Sequence, residues 1–337
     1  MIDRFERTID YMRVSVTDRC NLRCVYCMPE EGVPFTPYEE ILSFDEIVKI
    51  CELASRLGIR KIKLTGGEPL VRKGLPQLVK MLKEIAGIDQ VTLTTNGILL
   101  AKQIEPLVEA GLDAVNISID TLDPERYRML TRGGNVEDVL RGLDAALTDP
   151  KVHVKVNCVP MNLSKDEKNN NACYVKCDDY VRLALLAKDR PVDVRFIEMM
   201  PIGLGKTFEG ICTDEVLEVF EEQFGKGEAY NKKLGNGPAT YMQYPYFKGR
   251  IGFISAMSHQ FCNCCNRIRL TSEGFLKPCL QYGTGADLKK LLRSGASAEE
   301  MLSQMEHIIY KKPASHEFCE TALKQSFEKK EMSRIGG

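Results

Sequence analysis

The sequence predicts an α/β protein: an incomplete (βα)6 TIM-like barrel followed by a C-terminal α+β region that closes the barrel mouth. Three observations predict it. Six short β-type runs alternate with helical runs over residues 1–200. Each of those runs has one apolar and one polar face. The polar faces together are basic, which suits an open barrel better than a filled one.

The strands are expected at Met12–Thr17, Arg60–Thr65, Gln90–Thr95, Ala114–Asp120, Val152–Cys158 and Val192–Glu198. The clearest helix between them carries Phe44, Ile47, Val48, Cys51, Ala54 and Leu57 at helical spacing. Ser43 and Glu46 frame its start as a capping box, and Gly58 follows its end. Strand–helix units of this length imply parallel strands joined by right-handed crossovers.

Alternation within the strands assigns their faces. Val14/Val16, Ile62/Leu64, Val91/Leu93, Val115/Ile117/Ile119, Val152/Val154/Val156 and Val192/Val194/Phe196 form an apolar outer face for the helices. The opposite face presents Arg13, Lys61, Lys63, Thr94, Asn116, Ser118, Lys155, Asn157 and Arg195, with Asp120 and Asp193 as its acids. A polar buried lumen is costly without an occupant, so this face implies a large anionic ligand. The competing reading, a sheet with one solvated face, suits antiparallel sheets better than parallel ones.

Composition narrows the rest. The chain has 337 residues, 44% hydrophobic and 28% charged, and a net charge of −1. Without an overall basic field, nucleic acid is not an expected partner, and an anionic substrate must be met by a local cationic cluster. The first residues lack the apolar core of a signal peptide, and no apolar run reaches the ~20 residues of a membrane helix. The expected setting is the cytoplasm, where 13 cysteines point to metal rather than disulfides. A division into residues 1–200 and 201–337 is expected. Lys165–Asp179 reads as a surface insertion and Lys324–Lys330 as part of a solvated helix.

Immediately after the first strand comes Cys20-Asn-Leu-Arg-Cys24-Val-Tyr-Cys27. Three thiolates so spaced can hold three irons of a cubane and leave the fourth iron open to a chelating ligand. Three packed cysteines, or a zinc site completed by a remote histidine, are the alternatives. A second group, Cys262, Cys265 and Cys279, again supplies three.

The C-x-x-x-C-x-x-C loop, with Thr65-Gly66-Gly67-Glu68-Pro69 ending the second strand, resembles the radical S-adenosylmethionine superfamily. That resemblance implies a [4Fe-4S] cluster chelating S-adenosylmethionine and a 5′-deoxyadenosyl radical formed from it. It carries cofactor contacts onto Tyr26, Gly67, Glu68, Ser118 and Met200, although Tyr26 also reads as a core tyrosine. The runs Phe196-Ile-Glu-Met-Met-Pro201, Gly237-Pro-Ala, Gly252-Phe-Ile-Ser and Cys265-Asn-Arg-Ile-Arg-Leu-Thr271, with the terminal Gly336-Gly337, resemble the GTP 3′,8-cyclase family across essentially the whole chain.

The family resemblance implies a second [4Fe-4S] cluster whose open iron binds the guanine of GTP. It also implies nucleotide contacts from Arg13, Lys63, Thr94, Lys155, Arg195, Arg267, Ile268 and Arg269. The expected reaction is removal of the ribose 3′ hydrogen and ring closure onto carbon 8, giving 3′,8-cyclo-7,8-dihydro-GTP for molybdenum cofactor biosynthesis. A reductant protein and cyclic pyranopterin monophosphate synthase, which takes the product, are the expected partners, and a homodimer is compatible.

Cys264 departs from the family pattern and leaves the second triad open to an alternative choice of ligand. Cys173 and Cys177 read as exposed or helix-facing thiols, with a third metal site as the alternative. Cys51 and Cys158 read as packed, Cys212 and Cys319 as unpartnered. The terminal Gly-Gly reads as a frayed end or as a tail reaching the site. Rival functions are a peptide-modifying radical enzyme and a zinc protein or electron carrier.

Overall fold

The computed structural model describes residues 1–162, 177–232, 234–318, 327–328 and 330–335. Strands β1 (Tyr11–Ser15), β2 (Lys61–Thr65), β3 (Gln90–Thr95), β4 (Ala114–Ser118), β5 (His153–Cys158) and β6 (Asp193–Ile197) pair in parallel, each with the next. The helices α1 (Phe44–Arg56), α2 (Leu75–Lys83), α3 (Leu100–Glu109), α4 (Pro124–Thr131), α5 (Val136–Leu147) and α6 (Cys177–Asp189) fill the crossovers. The capping box of α1 is present: Ser43 Oγ accepts from Glu46 N at 3.1 Å, and Glu46 Oε2 from Ser43 N at 2.7 Å.

The predicted outer face is the core. Val14, Ile62, Leu64, Val91, Leu93, Val115, Ile117 and Val156 are all fully buried against the helices. A parallel sheet needs this cover, because each strand leaves a face that only a helical layer can bury.

The C-terminal region extends the same sheet at both edges. It supplies α7 (Thr213–Phe224), β7 (Glu228–Tyr230), β8 (Thr240–Gln243), β9 (Ile251–Ile254), β10 (Arg267–Leu270), β11 (Phe275–Lys277), β12 (Ala286–Asp287), α8 (Leu288–Arg293), α9 (Ala298–Tyr310) and α10 (Met332–Ile335). β9 runs parallel beside β6, and β10 runs parallel beside β1. Among the described residues the sheet has twelve strands, ordered β12-β11-β10-β1-β2-β3-β4-β5-β6-β9-β8-β7. The second half therefore flanks the barrel's gap from both sides, and places Phe261 to Leu280 beside the first strand.

Three expectations change. The last residues of the expected insertion belong to α6, and Asp179 is fully buried, accepting from Thr121 Oγ1 at 2.7 Å and Arg126 Nη2 at 2.9 Å. Where Lys324–Lys330 is described it is not helical: Phe327 bridges to Tyr282, and Glu328 pairs with the buried Lys277. Lys61 leaves the lumen to pair with Asp10 at 2.6 Å. Cys173, the Cys177 side chain, Cys319 and Gly336-Gly337 lie outside the described residues. No described helix is long and apolar enough to cross a membrane.

Candidate active site

Register builds the basic chamber. In a parallel ladder, partnered residues on neighbouring strands share a face. Arg13 is partnered by Arg269 on one side and Lys63 on the other, so three cations stand in one row across β10, β1 and β2. A second row holds Thr94, Asn116 and Lys155, and a third Ser118, Asn157 and Arg195.

These groups are deeply set. Lys63, Lys155, Arg195 and Arg269 are all buried. Burial, reinforced by Arg195, Arg13 and Lys155, pulls Lys63 well below the usual lysine range. Burial, then Arg13 and Arg267, does the same to Arg269. Lys155 is lowered to about 8 by burial and then by Arg195. Like charges side by side on one face destabilise a sheet, and taking each out of water costs several kcal/mol in order of magnitude that an opposite charge must offset. The chamber is built for an anion.

Asn157 and Tyr241 orient two of the cations. Arg195 donates twice to Asn157 Oδ1, from Nε at 2.9 Å and Nη2 at 2.6 Å. Lys155 Nζ donates to Tyr241 Oη and to the Leu234 carbonyl, each at 3.3 Å. Gly252 is required here: a Cβ would meet Tyr241 Cε1 at 2.7 Å and Arg195 Cγ at 2.8 Å.

The first cysteine loop leaves β1 and is tied to the end of α4. Arg23 N donates to Thr131 O at 3.1 Å and Val25 N to Leu130 O at 2.9 Å. Gly66 and Gly67 bring the end of β2 against its root. A Cβ on Gly66 would meet Thr17 O at 2.4 Å, and one on Gly67 would meet Arg19 O at 2.4 Å. The glycines thus seat the cysteine loop itself, a closer reason for them than ligand approach. Glu68 is buried and ties that turn to the end of β3: Oε1 accepts from Thr95 Oγ1 at 2.7 Å and Leu70 N at 3.0 Å, and Oε2 from Asn96 N at 2.6 Å. Burial outweighs these donors and lifts Glu68 to about 7.

The second triad spans the short turn Cys262–Cys264 and the loop after β11. Arg7 donates to the Cys262 carbonyl at 2.7 Å, and Lys312 donates to the carbonyls of Arg267 at 2.8 Å and Pro278 at 2.6 Å. Burial alone would raise the Cys265 thiol, but Lys312 and Arg267 outweigh it and lower it to about 6. In the first triad burial dominates, and lifts Cys27 to about 12 and Cys24 well above the thiol range.

Both cysteine triads and every expected cofactor or nucleotide contact except Ile268 line one cavity of about 560 Å³, the size of a small-molecule site, while Lys61 and Asp193 of the expected lumen face do not. Its wall carries both cysteine triads, Tyr26, Gly67, Glu68, Ser118 and Met200, and the basic rows with Thr94, Arg267 and Arg269. Ile268 turns its side chain into the core and is fully buried. Cys264 is exposed and does not line the cavity. Cys51 and Cys158 are packed, as expected.

The donor sets fit two clusters. Each triad is all-thiol and opens on the same cavity, the donor chemistry that iron–sulfur clusters require. Sequence reasoning passed over Tyr241, Lys312 and Arg7. Lys312 gives no local signal, because its burial at the end of α9 is created by the C-terminal strands.

The comparisons agree with this geometry. The family model of the Radical SAM superfamily matches residues 14–167, and that of Molybdenum Cofactor Synthesis C matches residues 192–318. A GTP 3′,8-cyclase of Clostridium perfringens (strain 13 / Type A) is 43% identical over 340 residues, covering all of both chains. One of Thermodesulfovibrio yellowstonii is 45% identical over 316 residues, 93% of this chain and 94% of that one. Among solved structures, Streptococcus suis SuiB bound to S-adenosylmethionine shares the fold, with a TM-score of 0.59 and 13% identity, over 91% of this chain and 65% of that one. Full-length identity at this level, with both cysteine triads and the basic rows on one cavity, places the chain in the GTP 3′,8-cyclase family of radical S-adenosylmethionine enzymes.

Proposed function

We propose that this chain is a lyase that cyclises GTP to 3′,8-cyclo-7,8-dihydro-GTP, the first step of molybdenum cofactor biosynthesis. The observation that carries the reading is the shared cavity, in which two all-thiol triads share a wall with a cluster of buried lysines and arginines. Relatives named GTP 3′,8-cyclase, at 41–45% identity over 93–100% of this chain, support it.

Cys20, Cys24 and Cys27 would hold one [4Fe-4S] cluster, and Cys262, Cys265 and Cys279 the other. Tyr26, Gly67, Glu68, Ser118 and Met200 would border S-adenosylmethionine. When bound, the first cluster and S-adenosylmethionine supply one-electron cleavage of the sulfonium and a carbon-centred radical. The chain's own residues bind, orient and keep water out.

Arg13, Lys63, Lys155, Arg195, Arg267 and Arg269 match a triphosphate in charge, and the guanidinium groups offer two parallel donors to each phosphate. Thr94 would add a hydroxyl, and Ile268 could contribute only through its main chain. Residues 1–200 would carry the first cluster, and residues 201–337 the second cluster with Arg267 and Arg269. The same reading has a reductant protein as electron donor, hands the product to cyclic pyranopterin monophosphate synthase, and sets the work in the cytoplasm.

The test is anaerobic incubation of reconstituted protein with S-adenosylmethionine, reductant and GTP deuterated at the 3′ carbon, followed by mass analysis. The expected result is a GTP isomer, with deuterium appearing in 5′-deoxyadenosine. Formation of 5′-deoxyadenosine without deuterium, with GTP unchanged, would favour a different substrate such as a peptide. Cys24→Ala should abolish 5′-deoxyadenosine formation altogether.

A further inference from the structure

Lys312 lies two residues past the end of α9, just beyond its cap residue Lys311, and is 2% exposed. Its ammonium spans two main-chain arms, donating to Arg267 O at 2.8 Å and to Pro278 O at 2.6 Å. Arg267 lies two residues past Cys265, and Pro278 immediately precedes Cys279. One side chain therefore fixes the spacing between two of the three thiols of the second triad.

The third thiol has its own clamp of a different electrical kind. Arg7 donates to Cys262 O at 2.7 Å and to Ala314 O at 2.9 Å, but its charge is met by Asp3 at 2.6 Å. Lys312 bonds two neutral carbonyls instead, and it lines the cavity together with Cys262, Cys265 and Cys279. A buried ammonium with no carboxylate partner costs several kcal/mol in order of magnitude unless another anion lies nearby. The thiolates of the triad are the anions this position provides. At the first triad the carbonyl clamps are not buried: exposed Arg132 donates to Arg23 O at 3.3 Å and Met28 O at 2.9 Å, half-buried Arg23 donates to Cys20 O at 2.8 Å, and the buried acids Glu68 and Asp120 line the cavity at its side.

We propose that Lys312 is a positioning residue for the second iron–sulfur cluster, holding the Cys265 and Cys279 arms apart and favouring the cluster's reduced state by its charge. The inference rests on the proposed reading that Cys262, Cys265 and Cys279 hold a cluster. Reduction adds one negative charge to the cluster, so a fixed cation beside its thiolates raises the reduction potential, as net charge and hydrogen bonding generally do for such centres.

The experiment uses the full chain, reconstituted anaerobically, as the unmodified protein, K312M and K312R. Iron per chain, far-UV circular dichroism and a reductive titration followed by electron paramagnetic resonance are read for each. A companion set in a Cys24→Ala background isolates the second cluster's signal. K312M is expected to keep its secondary structure and first cluster. Its second-cluster reduction equilibrium should shift at least tenfold toward the oxidised form, which is 59 mV for one electron. K312R, which keeps the charge, is expected to stay within threefold of the unmodified protein.

Loss of second-cluster iron in K312M but not in K312R supports the same role. Full iron in K312M with a reduction equilibrium within threefold of the unmodified protein overturns it, as does equal loss in both variants with secondary structure intact. Should K312M fail to fold, K312Q, which keeps an amide donor without the charge, is read by the same criteria. An unmodified chain that never loads iron at the second triad overturns the cluster reading itself, and the inference with it.

Discussion

The hydroxyl of Tyr26 donates to Asp120 Oδ2 at 2.8 Å, and so ties the middle of the first cysteine loop to the end of β4. Asp120 Oδ1 is taken by Val159 N at 2.9 Å, which adds the end of β5 to the same junction. Burial raises Asp120 to about 6 in spite of these donors. Burial, then the charge of Asp120, also holds the Tyr26 hydroxyl well above the usual phenol range, so it remains a donor.

Tyr26→Phe removes that donor and leaves Asp120 Oδ2 buried without its partner, a loss of about 1–3 kcal/mol. The expected result is S-adenosylmethionine binding weakened about tenfold, with the iron content unchanged. Equilibrium binding to the reconstituted protein checks this. Unaltered affinity would mean that the tyrosine only packs, and lost iron would mean that it seats the cysteines rather than the ligand.

Ligand choice in the second triad is tested by the spare thiol. Cys264 is exposed, and its Sγ faces the Phe261 carbonyl at 3.4 Å. Cys264→Ser should leave about eight irons per chain after reconstitution, and Cys265→Ser about four. The reverse pattern in an anaerobic iron and sulfide assay would move the ligand assignment to Cys264.

How far the sequence spoke for the fold depended on whether a signal was local. The period-two alternation that separated Val14 and Ile62 from Arg13 and Lys63 survives because one face of each strand packs under helices. The cysteine spacing around Tyr26 was equally local. What stayed hidden required knowing which strands become neighbours. The Arg269–Arg13–Lys63 row joins residues more than two hundred positions apart, and it exists only because β10 docks beside β1. Lys61 alternates like a lumen residue, yet it sits at the start of β2, where Asp10 is within reach. Lys312 reads as an ordinary polar residue until the arms bearing Arg267 and Pro278 enclose it.

Glu68 makes the metal-free chain's stability depend on pH. Its carboxyl is raised from 4.5 to about 7 by burial, so the folded chain keeps a proton that the unfolded chain releases between those values. The corresponding stability is fully present below pH 4.5 and is lost as pH rises through 7, by up to roughly 3 kcal/mol. Urea unfolding at pH 5 and pH 8 should show this decline in the unmodified protein, and a flatter dependence in Glu68→Gln. Equal slopes in the two proteins would assign the pH dependence to other groups.

Asn157 holds two of the donors of Arg195 and so fixes which edge of the guanidinium faces the cavity. Asn157→Ala frees that rotation and should raise KM for GTP about tenfold, as expected for lost hydrogen bonds to a charged group. Asn157→Asp should be worse, because a carboxylate there would neutralise Arg195 and repel phosphate. Lys155, lowered to about 8 by burial and Arg195, adds a pH signature. Its charge is lost as pH rises through 8, so GTP affinity should fall between pH 7 and pH 9. A bound polyphosphate favours the ammonium form and raises its pKa, so binding near pH 8 should take up protons. Calorimetry in two buffers of different ionisation enthalpy measures that uptake directly. Uptake that disappears in Lys155→Met assigns the proton to this lysine, and uptake unchanged in that variant places it elsewhere.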